Sequence, residues 1–405
     1  MRRSKWLWLL GFVLIAICAV SLLILTGEGG LPRKPMDPRP IDVTRLTNVE
    51  TERLGWDPKG LDAAFTFAAR LSSDTLMIIT DDKTVGVFGD VGKQYEIHSA
   101  VKAFLSGLIS QHIGSGTNQI PLEATLEQLG IDDFPNPLTP LQRQATAHHL
   151  LKSASGINHA AAAEARIMKA EKDRRLGDGD NEPGTIWAYN NWDYNALLTI
   201  LEERTGMTLA EAFEVGIAQP TGMLNHTPDA VFYREAPELS QHRAPALRMS
   251  ASDLARYGKL YLDKGIADGN RLLPESWVNR IATDFMKTES DDALRHGHGY
   301  LWWIPGPDTG LPEGSFWAWG LGQQALFVIP PWQTIIVHQS DTTEFIKRWI
   351  GMVQHDGVEP EAALEQIILT CLDPDNYQSA FCIEHRFIRP KDFAELISLI
   401  AAARR

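Results

Sequence analysis

The chain has 405 residues, of which 44% are hydrophobic and 22% are charged, so it has the composition and length of a globular protein with a large core. One large domain or two closely packed domains fit this length. The formal net charge of -13 argues against nucleic acid as a partner.

The N-terminal segment differs in kind from the rest of the chain. Arg2, Arg3 and Lys5 precede an apolar run over residues 6–25, which is about the 20 residues that a helix needs to cross a bilayer. Basic residues before the run and an acidic body after it predict a single-pass protein of the cell membrane, with its body on the periplasmic side. No small-x-small cleavage site follows, so we predict an uncleaved transmembrane anchor over residues 1–26.

Four segments are predicted in chain order. The anchor is followed by a Pro- and Gly-rich tether over residues 27–45, a catalytic domain over 46–345, and a helical region over 346–405 that packs on the same domain. Apolar spacing and turn residues predict the individual elements. The predicted helices are 61–71, 99–113, 192–204, one from 208, 250–262, 344–354, 359–370 and 391–403, and the predicted strands are 75–80, 84–88, 300–304, 325–329 and 334–338.

The chain contains one Ser-x-x-Lys, formed by Ser99 and Lys102 at the predicted start of a helix. Residues three apart lie on one face of a helix, so the hydroxyl and the amine are predicted to lie side by side. Leu105, Ile109 and Ile113 follow with helical spacing and place Lys102 at the edge of an apolar stripe. Burial would lower the pKa of the amine and make it a base for Ser99. The alternative is a lysine that extends to water.

The two cysteines near the C-terminus, Cys371 and Cys382, flank a loop-like segment. Their spacing suits a short disulfide loop in an oxidising compartment. Two buried thiols are the alternative interpretation.

A second motif gives the chain a family resemblance. Tyr189-Asn190-Asn191 is the one Tyr-x-Asn, and it precedes a predicted helix. Together with Ser99 and Lys102, and with the segments 147–156 and 247–256 in the same order, it resembles the serine β-lactamase and penicillin-binding-protein superfamily, in particular its class C-like esterase and amidase branch.

The resemblance implies an α/β (α+β) sandwich, in which an antiparallel sheet is flanked by helices and a helical subdomain is inserted. It also implies that Ser99 is the nucleophile, that Lys102 and Tyr189 exchange its proton, and that Asn191 binds the substrate. Since Lys102 and Tyr189 could share one proton, neither is assigned as the sole base.

The family's third motif is a Lys-Thr-Gly or His-x-Gly on an edge strand, and here the sequence departs from it. Ala318 stands where the cation would be, Gly320 matches the glycine, and the Leu321 N–H would bind the oxyanion. Trp319, with the neighbouring tryptophans 302, 303 and 317, forms either an apolar wall for the substrate or ordinary core. Without a cation at position 318, neutral esters and amides are predicted to be better substrates than β-lactams.

The sequence therefore predicts a membrane-anchored serine hydrolase that cleaves a small-molecule ester or amide through an acyl-enzyme, with no metal or organic cofactor. His296 and His298 lack a third candidate ligand and are interpreted as strand histidines. Two alternatives stay open, namely a catalytically silent binding protein with the same fold, and a penicillin-binding peptidase or β-lactamase.

Overall fold

The structure is a computed structural model that describes residues 42–71, 73–354, 366–367, 369–371, 379, 382 and 388–405. Within these residues the strands are β1 Thr44–Arg45, β2 Thr75–Thr80, β3 Lys83–Phe88, β4 Gln94–Glu96, β5 Val231–Ala236, β6 Ser240–Ser250, β7 Ile266–Ala267, β8 Asn270–Arg271, β9 Met286–Lys287, β10 Gly297–Gly299, β11 Trp302–Ile304, β12 Phe316–Gly320, β13 Gln324–Ile329 and β14 Thr334–Gln339. The α-helices are α1 Asn48–Arg53, α2 Pro58–Arg70, α3 Val101–Gln111, α4 Leu126–Leu129, α5 Ala147–Leu151, α6 Arg166–Leu176, α7 Asn191–Thr205, α8 Leu209–Phe213, α9 Ala251–Leu262, α10 Glu275–Ile281, α11 Thr343–Gln354 and α12 Pro390–Ala402.

A nine-stranded antiparallel sheet carries the fold, in the order β1-β3-β2-β14-β13-β12-β11-β10-β9. The early hairpin β2–β3 joins the late meander because β14 pairs with β2, with Ile336 opposite Ile78. Side chains alternate between the two faces of a strand, and both faces of β13 and β14 are buried. The predicted fold class is therefore confirmed, with a sheet built from the two ends of the domain.

Helices cover both faces of this sheet. On one face α9 packs against β13 and β14, and on the other α12 packs against α2. A separate apolar core fills each side, one centred on α3, α7 and α9 and the other on α2 and α12. The four-part division of the chain predicted from the sequence stays a prediction.

The helical part between β3 and β9 is tied to the sheet by a smaller three-stranded sheet, β4-β6-β5. Strand β4 leads directly into the turn at His98–Ala100 and then into α3, while α7 packs against β6. Neither β5 nor β6 is predicted from the sequence. They hold the start of α3 in place, because β6 pairs with β4, the strand that leads into it.

Two local predictions need correction. Helix α3 is buried along nearly its whole length, from Val101 to Ser110, and not along one stripe only. Strand β12 is not an edge strand, because it pairs with β13 along its length and with β11 through Trp303 and Trp317. The half of β12 after Trp317 has no partner in β11, which leaves that part of the strand open on one side.

The predicted localisation in the cell membrane is also corrected. No helix in the described part of the chain is long and apolar enough to cross a membrane. The apolar run over residues 6–25 and the tether up to residue 41 lie outside the described residues, as does most of the predicted helix 359–370.

The predicted disulfide is confirmed. Cys371 and Cys382 are joined, with their Cα atoms 5.5 Å apart, and both residues are buried. The alternative of two free buried thiols is therefore wrong.

Candidate active site

Ser99 lies in a single 3-10 turn, His98–Ala100, that runs straight into α3. The turn is anchored to the smaller sheet, because the Ile97 N–H donates to the Leu247 carbonyl at 3.0 Å. His98 has a φ of 47°, a backbone conformation that costs a residue with a side chain about 1–2 kcal/mol. The residue before Ser99 is therefore held in an unfavourable conformation by its surroundings.

Two contacts hold His98 in that conformation. Its Nδ1 lies 3.1 Å from Glu96 Oε1, and its Nε2 lies 2.8 Å from the hydroxyl of Thr342, which follows β14. Arg234 pairs with Glu96 at 2.6 Å. Burial would raise the pKa of Glu96, but the bonds and charges of His98 and Arg234 lower it to about 2. The turn is thus fixed by residues from β4, β5 and the end of the large sheet.

Lys102 is buried, and its Nζ lies 2.9 Å from Ser99 Oγ. Within the described residues no carboxylate pairs with this amine, and its other neighbours are the rings of Tyr189 and Tyr194, whose centroids lie 5.0 and 4.7 Å from Nζ. Because burial disfavours the charged form and no anion compensates, the pKa of Lys102 falls to about 7.

Tyr189 lies just before α7, and its phenol forms a hydrogen bond with the Ser99 hydroxyl. Burial raises the pKa of the Tyr189 phenol well above its usual value, while a hydrogen bond with Ser99 and the charge of Arg295 oppose that rise. The phenol therefore stays protonated at neutral pH. Ser99, Lys102 and Tyr189, which the sequence assigned to one site, lie together.

Asn191 begins α7 and is buried behind Tyr189. Its amide nitrogen donates to the Ala163 carbonyl at 2.6 Å, and its Oδ1 has no partner among the described residues although it is buried. The amide therefore fixes the loop before α6, with one acceptor unused.

A buried ionic group lies next to Asn191. Lys172 on α6 pairs with Glu164 at 2.6 Å and donates to the His159 carbonyl at 2.6 Å. It also reaches the side chain of Asn190, which caps α7 and bonds to Asp193 at 3.0 Å. Burial raises the pKa of Asp193 to about 8. Helix α6 was not predicted, because its sequence is too charged to show an apolar face.

The strand β12 passes directly beside the Ser99 turn. A Cβ on Gly320 would lie 2.0 Å from the Ile97 carbonyl oxygen, so no residue larger than glycine fits there. Ala318 is buried in the core, and Leu321 follows at the start of the turn to β13. The match of Gly320 to the glycine of the family motif thus has a steric basis.

The predicted tryptophan cluster divides between the core and the site. Trp302 and Trp317 are fully buried, whereas Trp319 is partly exposed. Trp303 stacks on Tyr189, with ring centroids 5.7 Å apart and planes 13° apart, and Trp319 meets Trp303 edge-on at 6.1 Å. Trp303 and Trp319 therefore form an aromatic wall beside Tyr189.

Two residues beside this wall were not singled out from the sequence as site residues. His298 on β10 is buried, with its ring 4.9 Å from that of Trp303, and burial and the charge of Lys102 lower its pKa to about 3. Arg295 lies over the ring of Trp319, with its Cζ 5.1 Å from the centroid. Nothing in the sequence places His298 and Arg295 near Ser99, because β10 and the turn before it are brought to the site only by the order of the strands in the sheet.

Comparison with known proteins identifies the family and the fold. The family model described as Beta-lactamase matches residues 61–348, which is more than half of the chain. The 6-aminohexanoate-dimer hydrolase of Paenarthrobacter ureafaciens is 26% identical over 125 residues, and the match covers 29% of this chain but only 31% of that protein's length.

The fold is also found in solved structures, and two of these superimpose on this chain over most of their own length. A putative 6-aminohexanoate-dimer hydrolase from Bacillus anthracis superimposes with a TM-score of 0.51 at 19% identity, covering 82% of this chain and 92% of that one. A penicillin-binding protein homologue from Caulobacter crescentus gives 0.52 at 13% identity, covering 74% and 94%. At these identities the likeness shows the fold alone.

Proposed function

The chain belongs to the Beta-lactamase family, and from this premise we propose that it is a serine hydrolase that cleaves amide or ester bonds through an acyl-enzyme on Ser99. The observation that carries the proposal is the distance of 2.9 Å between Lys102 Nζ and Ser99 Oγ, in a place where burial lowers the pKa of the lysine to about 7. A neutral amine so placed can remove the serine proton at physiological pH.

In the acylation step, the Ser99 proton passes to Lys102 Nζ while Oγ bonds to the substrate carbonyl carbon. The tetrahedral oxyanion then accepts hydrogen bonds from the N–H groups of Ser99 and Leu321. These two residues are near each other because Gly320, which precedes Leu321, lies against the Ile97 carbonyl of the Ser99 turn. The ammonium formed on Lys102 faces the rings of Tyr189 and Tyr194, which stabilise a cation by their π faces.

Collapse of the intermediate breaks the bond to the leaving group, which must gain a proton. Tyr189 bonds to the Ser99 hydroxyl and stays protonated, so it delivers its proton to the leaving amine or alkoxide and is restored by Lys102. Water attacks the acyl-enzyme in the second half of the reaction and gives its proton to Lys102, and Ser99 is regenerated. Asn191 holds the loop before α6 through the Ala163 carbonyl, and because its Oδ1 is buried, its contact with the substrate stays a prediction.

The choice of amides among the possible substrates is supported by relatives. One curated relative and one structural neighbour are named as 6-aminohexanoate-dimer hydrolases, which act on an amide. The curated match covers less than a third of this chain, so the substrate of that enzyme is not transferred to this protein. The proposal is an amidase or esterase for small molecules.

A fluorophosphonate probe tests the proposal directly. Intact-mass measurement should find one covalent adduct on the wild-type protein and none on Ser99→Ala, with peptide mapping that locates the adduct at Ser99. Ser110→Ala is a matched control, because Ser110 lies on the same helix and bonds to the Gly107 carbonyl. An adduct that persists in Ser99→Ala would place the nucleophile elsewhere.

A further inference from the structure

The proposed oxyanion site is made from two turns that belong to distant parts of the chain. The Ser99 turn, residues 97–100, carries one N–H group, and the Leu321 turn, residues 320–323, carries the other. An oxyanion needs both donors about 2.7–3.1 Å from one point, so the separation of the two turns decides how well the donors work together. Whatever holds the turns at that separation is therefore part of the site.

Each turn contains a residue with a side chain in the left-handed region of backbone conformation. His98 has a φ of 47°, and Gln323 has a φ of 62°. Such conformations persist only where surrounding contacts hold them. The Gln323 carbonyl accepts a hydrogen bond from His338 Nδ1 at 2.7 Å, and the Gln323 side chain donates to the Ile388 carbonyl at 3.1 Å. Both turns therefore depend on contacts from elsewhere in the fold.

One side chain, that of Thr342, touches both turns. Its hydroxyl lies 2.8 Å from His98 Nε2. Its methyl group lies against the Leu321 turn, because a Cβ built on Gly322 would overlap Thr342 Cγ2. Thr342 is buried, so both contacts are shielded from water. The polar end of this side chain thus holds the Ser99 turn, and its apolar end holds the Leu321 turn.

The position of Thr342 is fixed by the large sheet and by a helix. Thr342 comes shortly after β14 and directly before α11. Its carbonyl accepts a hydrogen bond from the Ile346 N–H at 2.9 Å, which begins the helix. The neighbouring Ser340 donates from its hydroxyl to the Gly322 carbonyl. The end of the large sheet therefore holds Thr342 at a fixed place between the two turns.

A second buried threonine on the same strand has different contacts. Thr334, at the opposite end of β14, has its hydroxyl 2.8 Å from that of Thr80 on β2 and donates to the Trp332 carbonyl at 2.9 Å. These contacts join β14 to its neighbours and reach neither turn. Thr334 is therefore the matched control for Thr342.

We infer that Thr342 is a positioning residue that sets the separation of the Ser99 and Leu321 N–H groups. The two N–H groups act on the charge of the tetrahedral intermediate, whereas Thr342 acts only through the two turns. A misplacement of about 1 Å near the reacting atoms can cost on the order of 10²-fold in rate. The consequence for catalysis rests on the proposed function, but the joining of the two turns can be measured without a substrate.

Hydrogen exchange followed by mass spectrometry tests the joining of the turns. Thr342→Val removes the hydroxyl and should speed exchange in peptides that cover residues 97–100, while Thr342→Ser removes the methyl group and should speed exchange in those that cover residues 320–323. Thr342→Ala should speed exchange at both turns by at least about 5-fold, because it removes both contacts. Thr334→Val should change the exchange of neither turn.

Kinetics on a 4-nitrophenyl ester test the consequence for catalysis. Because the oxyanion donors act more strongly on the transition state than on the bound substrate, Thr342→Ala should lower kcat by roughly 10–100-fold and leave KM within about 3-fold. Thr342→Val and Thr342→Ser each keep one contact and should retain more of kcat than Thr342→Ala. Thr334→Val should keep kcat within about 3-fold of the wild-type value.

The two measurements separate this inference from the proposed function. If the wild-type protein hydrolyses nothing and forms no adduct, the proposed function fails, while faster exchange at both turns in Thr342→Ala still supports the role of Thr342. Unchanged exchange at either turn in that variant, or exchange that is faster throughout the domain in all three Thr342 variants, overturns the inference whatever the protein hydrolyses. In an active protein, a kcat of Thr342→Ala within about 3-fold of the wild-type value overturns it as well.

Discussion

Two buried lysines touch the segment 189–191, and they are held in opposite ways. Lys102 is 8% exposed and Lys172 is 1% exposed, so burial alone does not distinguish them. Lys172 has the Glu164 carboxylate at 2.6 Å and two further acceptors. Lys102 has one hydroxyl and two aromatic rings.

The difference lies in what compensates for the lost hydration. A buried lysine that faces a carboxylate forms an ion pair that connects two parts of the fold. A buried lysine that faces only a hydroxyl and the faces of aromatic rings binds its proton less tightly, so it can act as a base. The burial of Glu164 raises the pKa of that carboxyl even though Lys172 opposes the rise, which indicates how completely this pair is removed from water. In the proposed mechanism the same residue type serves chemistry at position 102 and stability at position 172.

Replacing Lys102 should give the largest loss of activity. Lys102→Arg keeps a cation, but guanidinium does not lose its proton in a protein, so the base is removed. We expect kcat/KM for a 4-nitrophenyl ester to fall by at least about 10³-fold with the thermal midpoint changed only slightly. Lys172→Arg is the matched control and should keep most of the activity. Substantial turnover by Lys102→Arg would move the role of base to Tyr189.

Replacing Lys172 should act on stability more than on catalysis. Lys172→Met leaves Glu164 buried without a partner, and the free energy of unfolding should drop by about 3–5 kcal/mol in urea titration. At a temperature where the variant is folded, kcat/KM should fall by less than about 10-fold, because Lys172 reaches the site only through Asn190. The double variant Glu164→Gln with Lys172→Met should recover part of the lost stability.

An opposite outcome for Lys172 would change the comparison. If Lys172→Met were as stable as the wild type and as inactive as Lys102→Arg, the ion pair would belong to the reaction and not to the support of the segment 189–191.

The sequence was informative where the chemistry is local. Ser99 and Lys102 are one helical turn apart, so their contact follows from spacing, and Tyr189 was found through its motif with Asn191. The strands of the early hairpin and the late meander were also predicted, because strand periodicity and turn residues are local signals, whereas their union in one antiparallel sheet was implied by the family resemblance.

The parts that were missed depend on contacts between distant residues. His98 is held by Thr342, which lies 244 residues later in the chain, and Arg295 reaches the site only because β10 and β11 stand beside β12. Helix α6 gave no periodic signal, because it is mostly charged. Lys169 pairs with Asp173 and both Arg174 and Arg175 pair with Glu171 within the helix, while Lys172 pairs with Glu164 outside it. Spacing within a single motif cannot show a side chain that a distant part of the fold brings to the site.

The pH dependence of covalent labelling tests most directly whether Ser99 is activated by a Lys102 that is neutral near pH 7. The second-order rate constant for fluorophosphonate labelling of Ser99 would be measured by intact mass from pH 5 to pH 9. Because the reactive form needs an unprotonated amine, and burial lowers the pKa of Lys102 to about 7, the rate should rise about tenfold per pH unit below that value and level off above it. A rate that is the same at pH 5.5 and pH 8.5 would contradict the account.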